Sequence, residues 1–116
     1  MKTIEKLNLK ENERQALLEL KKRICERFPD AEIILYGSKA RGDADEESDM
    51  DILILLKEKV NWDLKEEIFS TAFKVELRYD VIFGVIVYQK QFWNSSLGKA
   101  MPLHWNIDKE GIYVES

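Results

Sequence analysis

Residues Ile33 to Leu56 constrain this chain more than any other stretch. The apolar run Ile33-Ile34-Leu35-Tyr36 stops at Gly37-Ser38-Lys39-Ala40-Arg41-Gly42, an acidic segment runs from Asp43 to Ser48, and Asp49-Met50-Asp51 leads into a second apolar run, Ile52 to Leu56. An apolar run of this length ending at Gly-Ser reads as a buried strand entering a turn, and the second run reads as another strand. Side chains alternate along a strand, so Asp49 and Asp51 share one face while Met50 and Ile52 share the other. Two carboxylates this close repel unless a cation lies between them. Magnesium suits that place, because it prefers hard oxygen ligands and is commonly held by one or two carboxylates together with substrate phosphates.

The first half of the stretch offers the phosphate side. Gly37 lets the backbone turn tightly and approach a ligand, Ser38 brings a hydroxyl donor, and Lys39 and Arg41 bring positive charge. If Ser38 to Arg41 opens a short helix, its free N–H groups also favour an anion. The bland alternative is a Gly-Ser turn followed by a solvated acidic loop. Two features speak against it: the basic pair precedes the acids, and the second strand starts inside the carboxylate pair.

Gly37-Ser38, ten intervening residues and then Asp49-x-Asp51 resemble the signature of nucleotidyltransferases of the DNA polymerase beta superfamily. Arg41-Gly42 and Ser48 match the Gly-Ser-x-x-Arg-Gly and Ser-Asp-x-Asp pieces of its minimal nucleotidyltransferase branch. The resemblance covers Ile33 to Leu56 and extends less distinctly to Val87. It implies a third carboxylate from a neighbouring strand, completing a metal site with Asp49 and Asp51. Asp80, in Tyr79-Asp80-Val81-Ile82, is the best match, and Glu76 is a rival one helical turn earlier. The implied chemistry is two-metal transfer with two magnesium ions and ATP as substrate, in which Gly37, Ser38 and Lys39 or Arg41 hold the phosphates. The resemblance further implies an antitoxin-like role, with AMP moved onto a small helical partner of the HEPN class. A second reading, from a different class, is a binding module that neutralises its partner by covering it, with a vestigial nucleotide site.

The rest of the chain bounds these readings. A length of 116 residues suits a single domain, 1–116, and 45% hydrophobic with 34% charged residues suits a packed core rather than a membrane protein. The first six residues lack the apolar core of a secretory signal, and one cysteine cannot form an internal disulfide, so a cytoplasmic address is expected. A net charge of −4 without a basic stripe argues against nucleic acid as a direct partner.

Asn8 has the form of a helix cap, and Leu17, Leu20, Ile24 and Phe28 mark a buried helical face ending before Pro29. Asn61 caps a second helix running to about Arg78. Its rows Leu64, Ile68, Ala72, Val75 and Phe69, Phe73, Leu77 are together wide enough to cover a sheet, with Trp62 packed at its start. Val81 to Val87 reads as a central strand. Cys25 reads as a small residue at a helix margin, and His104, between Leu103 and Trp105, as a packed surface residue. Helices separated by three strand runs indicate an α/β fold on a small mixed sheet flanked by helices, with a plain doubly wound parallel sheet as the alternative; the resemblance implies the nucleotidyltransferase arrangement.

Overall fold

The computed structural model describes residues 4, 7–42 and 49–115, so Ser48 and the acidic segment before it lie outside the described residues. The elements follow in the order α1 (Glu11–Arg27), β1 (Glu32–Tyr36), α2 (Ser38–Arg41), β2 (Met50–Leu56), α3 (Trp62–Tyr79), β3 (Phe83–Gln89), α4 (Lys90–Trp93), α5 (Ser96–Lys99), α6 (Pro102–Glu110) and β4 (Ile112–Tyr113). The strands form one mixed sheet in the order β3-β2-β1-β4. β1 pairs antiparallel with both β2 and β4, and β2 pairs parallel with β3.

The alternation along β1 and β2 gives the sheet two apolar faces. Ile33, Leu35, Ile52, Ile54 and Leu56 meet Leu17, Leu20 and Ile24 of α1 and Ile68, Ala72 and Val75 of α3. Ile34, Leu53 and Leu55 meet Trp93 and Ile107 on the opposite face. β2 is buried along nearly its whole length, which explains its almost unbroken apolar sequence. Asp51 is the half-buried exception, where the strand reaches the rim of the sheet.

Several expectations are corrected. α1 starts at Glu11 rather than beside Asn8, because the Glu13 carboxylate accepts the Lys10 backbone N–H at 2.9 Å and closes the helix end itself. The strand read as central is the edge strand β3. Packing against helices on both faces demands apolar content whatever lies beside a strand, so composition does not report lateral position. α3 begins as expected, with Asn61 Oδ1 accepting the Leu64 N–H at 2.9 Å. Only its Leu64, Ile68, Ala72 and Val75 row faces the sheet, however, while Trp62, Phe69, Phe73 and Leu77 are exposed. One helix of this diameter cannot lay two rows on one sheet when a second helix already occupies the adjoining strip.

The C-terminal segment closes the other edge of the sheet. β4 adds a fourth strand beyond β1, and Pro102 starts α6 at the one helical position where its missing N–H costs nothing. His104 is buried, stacked on Trp93 at 4.3 Å between ring centroids, with Nδ1 3.1 Å from Asp108. No described helix is long and apolar enough to cross a membrane.

Candidate active site

The candidate site lies where β1 ends, β2 begins and β3 begins. The register sets Tyr36 opposite Asp51 on one side and Gly84 opposite it on the other. Paired residues of a sheet point to one face, so Tyr36, Asp51 and Gly84 lie on the face covered by α6, and Asp49 precedes Asp51 on that face. Asp51 is thus held between two backbones that have no side chain to obstruct it. A Cβ added to Gly37 would stand 2.3 Å from Asp51 Oδ2, and one added to Gly84 would stand 3.1 Å from Asp51 Oδ1. Gly37 also has φ +77 and ψ −159, a region essentially closed to residues with a Cβ. The glycine that the sequence offers for turning the chain therefore also clears space for the carboxylate.

Gly37→Ala accordingly has two expected costs. The clash is relieved by swinging the Asp51 carboxylate, and a displacement of about 1 Å would cost on the order of a hundredfold in any turnover that uses this carboxylate. The positive φ adds on the order of 1–3 kcal/mol of destabilisation. Steady-state rates and thermal unfolding of this variant measure the two separately; a fully active Gly37→Ala protein contradicts the assignment.

Burial raises the pKa of Asp51 first, and the neighbouring Asp49 charge raises it further; Arg41 opposes this and Glu110 adds to it. A carboxyl whose folded pKa exceeds its unfolded value contributes stability while it is protonated. That contribution is lost as pH rises from the ordinary carboxylate value through the raised one. Without divalent cations, the melting temperature of the wild type is expected to fall across that window relative to Asp51→Asn. Adding magnesium is expected to remove the difference. Parallel pH profiles for the two proteins would show that Asp51 is not held in a repulsive setting.

Two hard carboxylates on one face, with Asp51 set between two glycines, fit a divalent cation whose remaining ligands come from substrate phosphates. The three-carboxylate cluster does not form. Asp80 is the left-handed C-cap of α3 (φ 55), exposed and three residues short of β3, and no group of three or more His, Cys, Asp or Glu among the described residues is arranged to hold a metal. The position on β3 that faces Asp51 is Gly84. Glu76, the rival, has its carboxylate on the Phe83 N–H at 3.3 Å, where it serves the start of β3.

The two cations part company. The Lys39 ammonium is buried and lies 2.8 Å from Glu13, which ties α2 to α1. Arg41 stands exposed at the rim, 3.0 Å from Glu110. Ser38 opens α2 and is half-buried. A cleft of about 500 Å³ runs beside Arg41, between Ala40 and the turn from Asp108 to Ile112.

Two residues of this neighbourhood carry no motif. Glu110 is brought to the rim by the turn from α6 into β4, where it meets Arg41 and adds to the field on Asp51. Tyr36 is paired directly with Asp51, and its hydroxyl pKa is raised by burial and then by the charge of Asp51. An acid next to a glycine, in Glu110-Gly111, is too common a dipeptide to have revealed the first, and Tyr36 reads simply as the end of an apolar run.

A model of the family described as "Nucleotidyltransferase domain" matches residues 17–102. Among curated sequences, the chain is similar to "Putative protein adenylyltransferase MJ0141" of Methanocaldococcus jannaschii, 48% identical over 58 residues. That alignment takes in 50% of this chain and 59% of the relative. It is also similar to "Putative protein adenylyltransferase MJ0604" of the same organism, 38% identical over 79 residues, 68% of this chain and 72% of the relative.

Proposed function

Because the chain belongs to the nucleotidyltransferase domain family, we propose that it transfers AMP from ATP onto a hydroxyl of a partner protein. The observation that carries this reading is Asp51 seated between Gly37 and Gly84 with Asp49 beside it, an arrangement costly to keep without a cation and a phosphate to serve. The names of the two relatives point to protein as the acceptor.

Asp49 and Asp51 would hold magnesium, which supplies charge neutralisation on the triphosphate. Arg41 faces the same phosphates, oriented by Glu110, and Ser38 at the start of α2 donates its hydroxyl to them. Lys39 contributes from behind, fixing α2 through Glu13. The acceptor oxygen forms a bond to the α-phosphorus, the bond from that phosphorus to the pyrophosphate oxygen breaks, and the hydroxyl proton passes to water. A third carboxylate at Asp80 has no support from the geometry, and neither does a pair of magnesium ions sharing three acids. Positioning and charge neutralisation carry most of such a reaction.

The partner we propose is a HEPN-type helical protein, in a toxin–antitoxin pairing within the cytoplasm. Gly84 in the place of a third acid favours one competing reading, a chain that neutralises that partner by covering it without chemistry. The deciding experiment incubates the protein with ATP labelled at the α-phosphate, magnesium and a HEPN-type protein encoded beside it. Label on the partner that disappears with Asp49→Asn/Asp51→Asn establishes transfer. Neutralisation by the double variant without label transfer establishes the binding module instead.

A further inference from the structure

The exposed row of α3 and the open edge of β3 lie on the same side of the molecule. Taking Ile68 as the direction of the sheet and about 100° per residue, the buried row of α3 lies within about 40° of it, and Glu67 and Arg78 lie about 80–100° to one side. Those two residues make ion pairs with Arg27 and Glu19 of α1, so α1 occupies that side. Phe69, Trp62, Phe73 and Leu77 fall about 100–180° round the other way, beyond β3. Glu76, at about 80° on that same side, reaches the Phe83 N–H.

β3 is the last strand of the sheet. The Met50 N–H donates to Ile82 O, so the backbone groups of Gly84, Ile86 and Tyr88 point to β2 while those of Val85 and Val87 point outward. Its sequence, Phe-Gly-Val-Ile-Val-Tyr-Gln, has no charge and no proline, the usual devices that keep an edge from pairing.

We propose that two copies of this chain associate about a two-fold axis through the middle of β3. β3 pairs antiparallel with its mate, and the exposed row of α3 packs on its own copy. The two features share a centre: α3 spans about 27 Å and β3 about 23 Å, and a parallel crossover lays one back along the other. One axis therefore serves both, as a self-complementary interface requires. A different protein would have to present both a strand edge and an apolar helix at this same spacing.

The area is adequate. Trp62 is 73% exposed, Phe73 58%, Leu77 68% and Phe69 41%. Together they offer on the order of 500 Å² of apolar surface. A seven-residue strand edge brings this toward the roughly 800 Å² per partner typical of stable association. The result is a continuous eight-stranded sheet with its two candidate active sites at opposite ends.

Sedimentation velocity across a wide range of concentration is expected to show a species of twice 13.7 kDa. Phe73→Lys with Leu77→Lys replaces two exposed side chains, so the protein stays folded by circular dichroism and becomes monomeric. The amide protons of Val85 and Val87 are expected to exchange slowly in the dimer and rapidly in the variant. A wild type that is monomeric throughout overturns the proposal and leaves the surface to a different partner. A dimer that survives both substitutions, or one whose Val85 and Val87 amides exchange at unprotected rates, overturns it equally.

Discussion

Asp51→Asn is expected to lower nucleotidyl transfer by about a thousandfold or more, near 4 kcal/mol of transition-state stabilisation, since a bound cation supplies several kcal/mol to such a reaction. Asparagine has the shape of aspartate and fits the gap between Gly37 and Gly84, so the loss measures charge rather than packing. The companion is Asp80→Asn. Asparagine tolerates the left-handed conformation that Asp80 occupies, and Asp80 is exposed on the loop ahead of β3. Its rate is expected to stay within about twofold of wild type, no more than an ordinary surface substitution changes. Initial rates with α-labelled ATP compare the two variants directly. Equal, severe losses would restore Asp80 to the catalytic group and contradict the geometry.

Lys39→Met is expected to destabilise the protein by about 3 kcal/mol, because removing one partner of a buried ion pair strands the other. Glu13 would keep the Lys10 N–H on one oxygen and lose its cation on the other. Restoring neutrality with Glu13→Gln in the Lys39→Met background should recover most of that loss, and denaturant unfolding of the single and double variants measures it. In the protein that remains folded, Lys39→Met is expected to weaken ATP binding far less than Arg41→Met does. The reverse order would place the Lys39 ammonium on the phosphates and make its contact with Glu13 a resting state.

Much of the site was legible because its parts are contiguous. A strand of four apolar residues, a Gly-Ser turn and an Asp-x-Asp pair at the start of the next strand need only the period of a strand to be placed on one rim, and Asp49 and Asp51 share a face as that period requires. The third acid was not legible. Whether a residue beside a strand reaches its neighbour depends on register, and the register sets Gly84 rather than Asp80 against Asp51. Lys39 and Arg41, two residues apart, read as one basic pair, yet the short helix turns one toward α1 and leaves the other at the rim. Glu110 comes from the far end of the chain, and nothing local marks it.

The same division runs through the fold. Local periodicity and punctuation by themselves determined the helices α1 and α3, the strand pair around the turn, and the membership in a mixed α/β class, since each depends on neighbours within a few residues. Tertiary structure alone decided that β3 is an edge, that a two-residue strand after α6 closes the other side of the sheet, and that no other element of the chain covers the second apolar row of α3. Apolar side chains record how much of a segment is to be covered. They do not record by what, because the hydrophobic effect has no direction, and only packing the whole chain assigns each surface its cover.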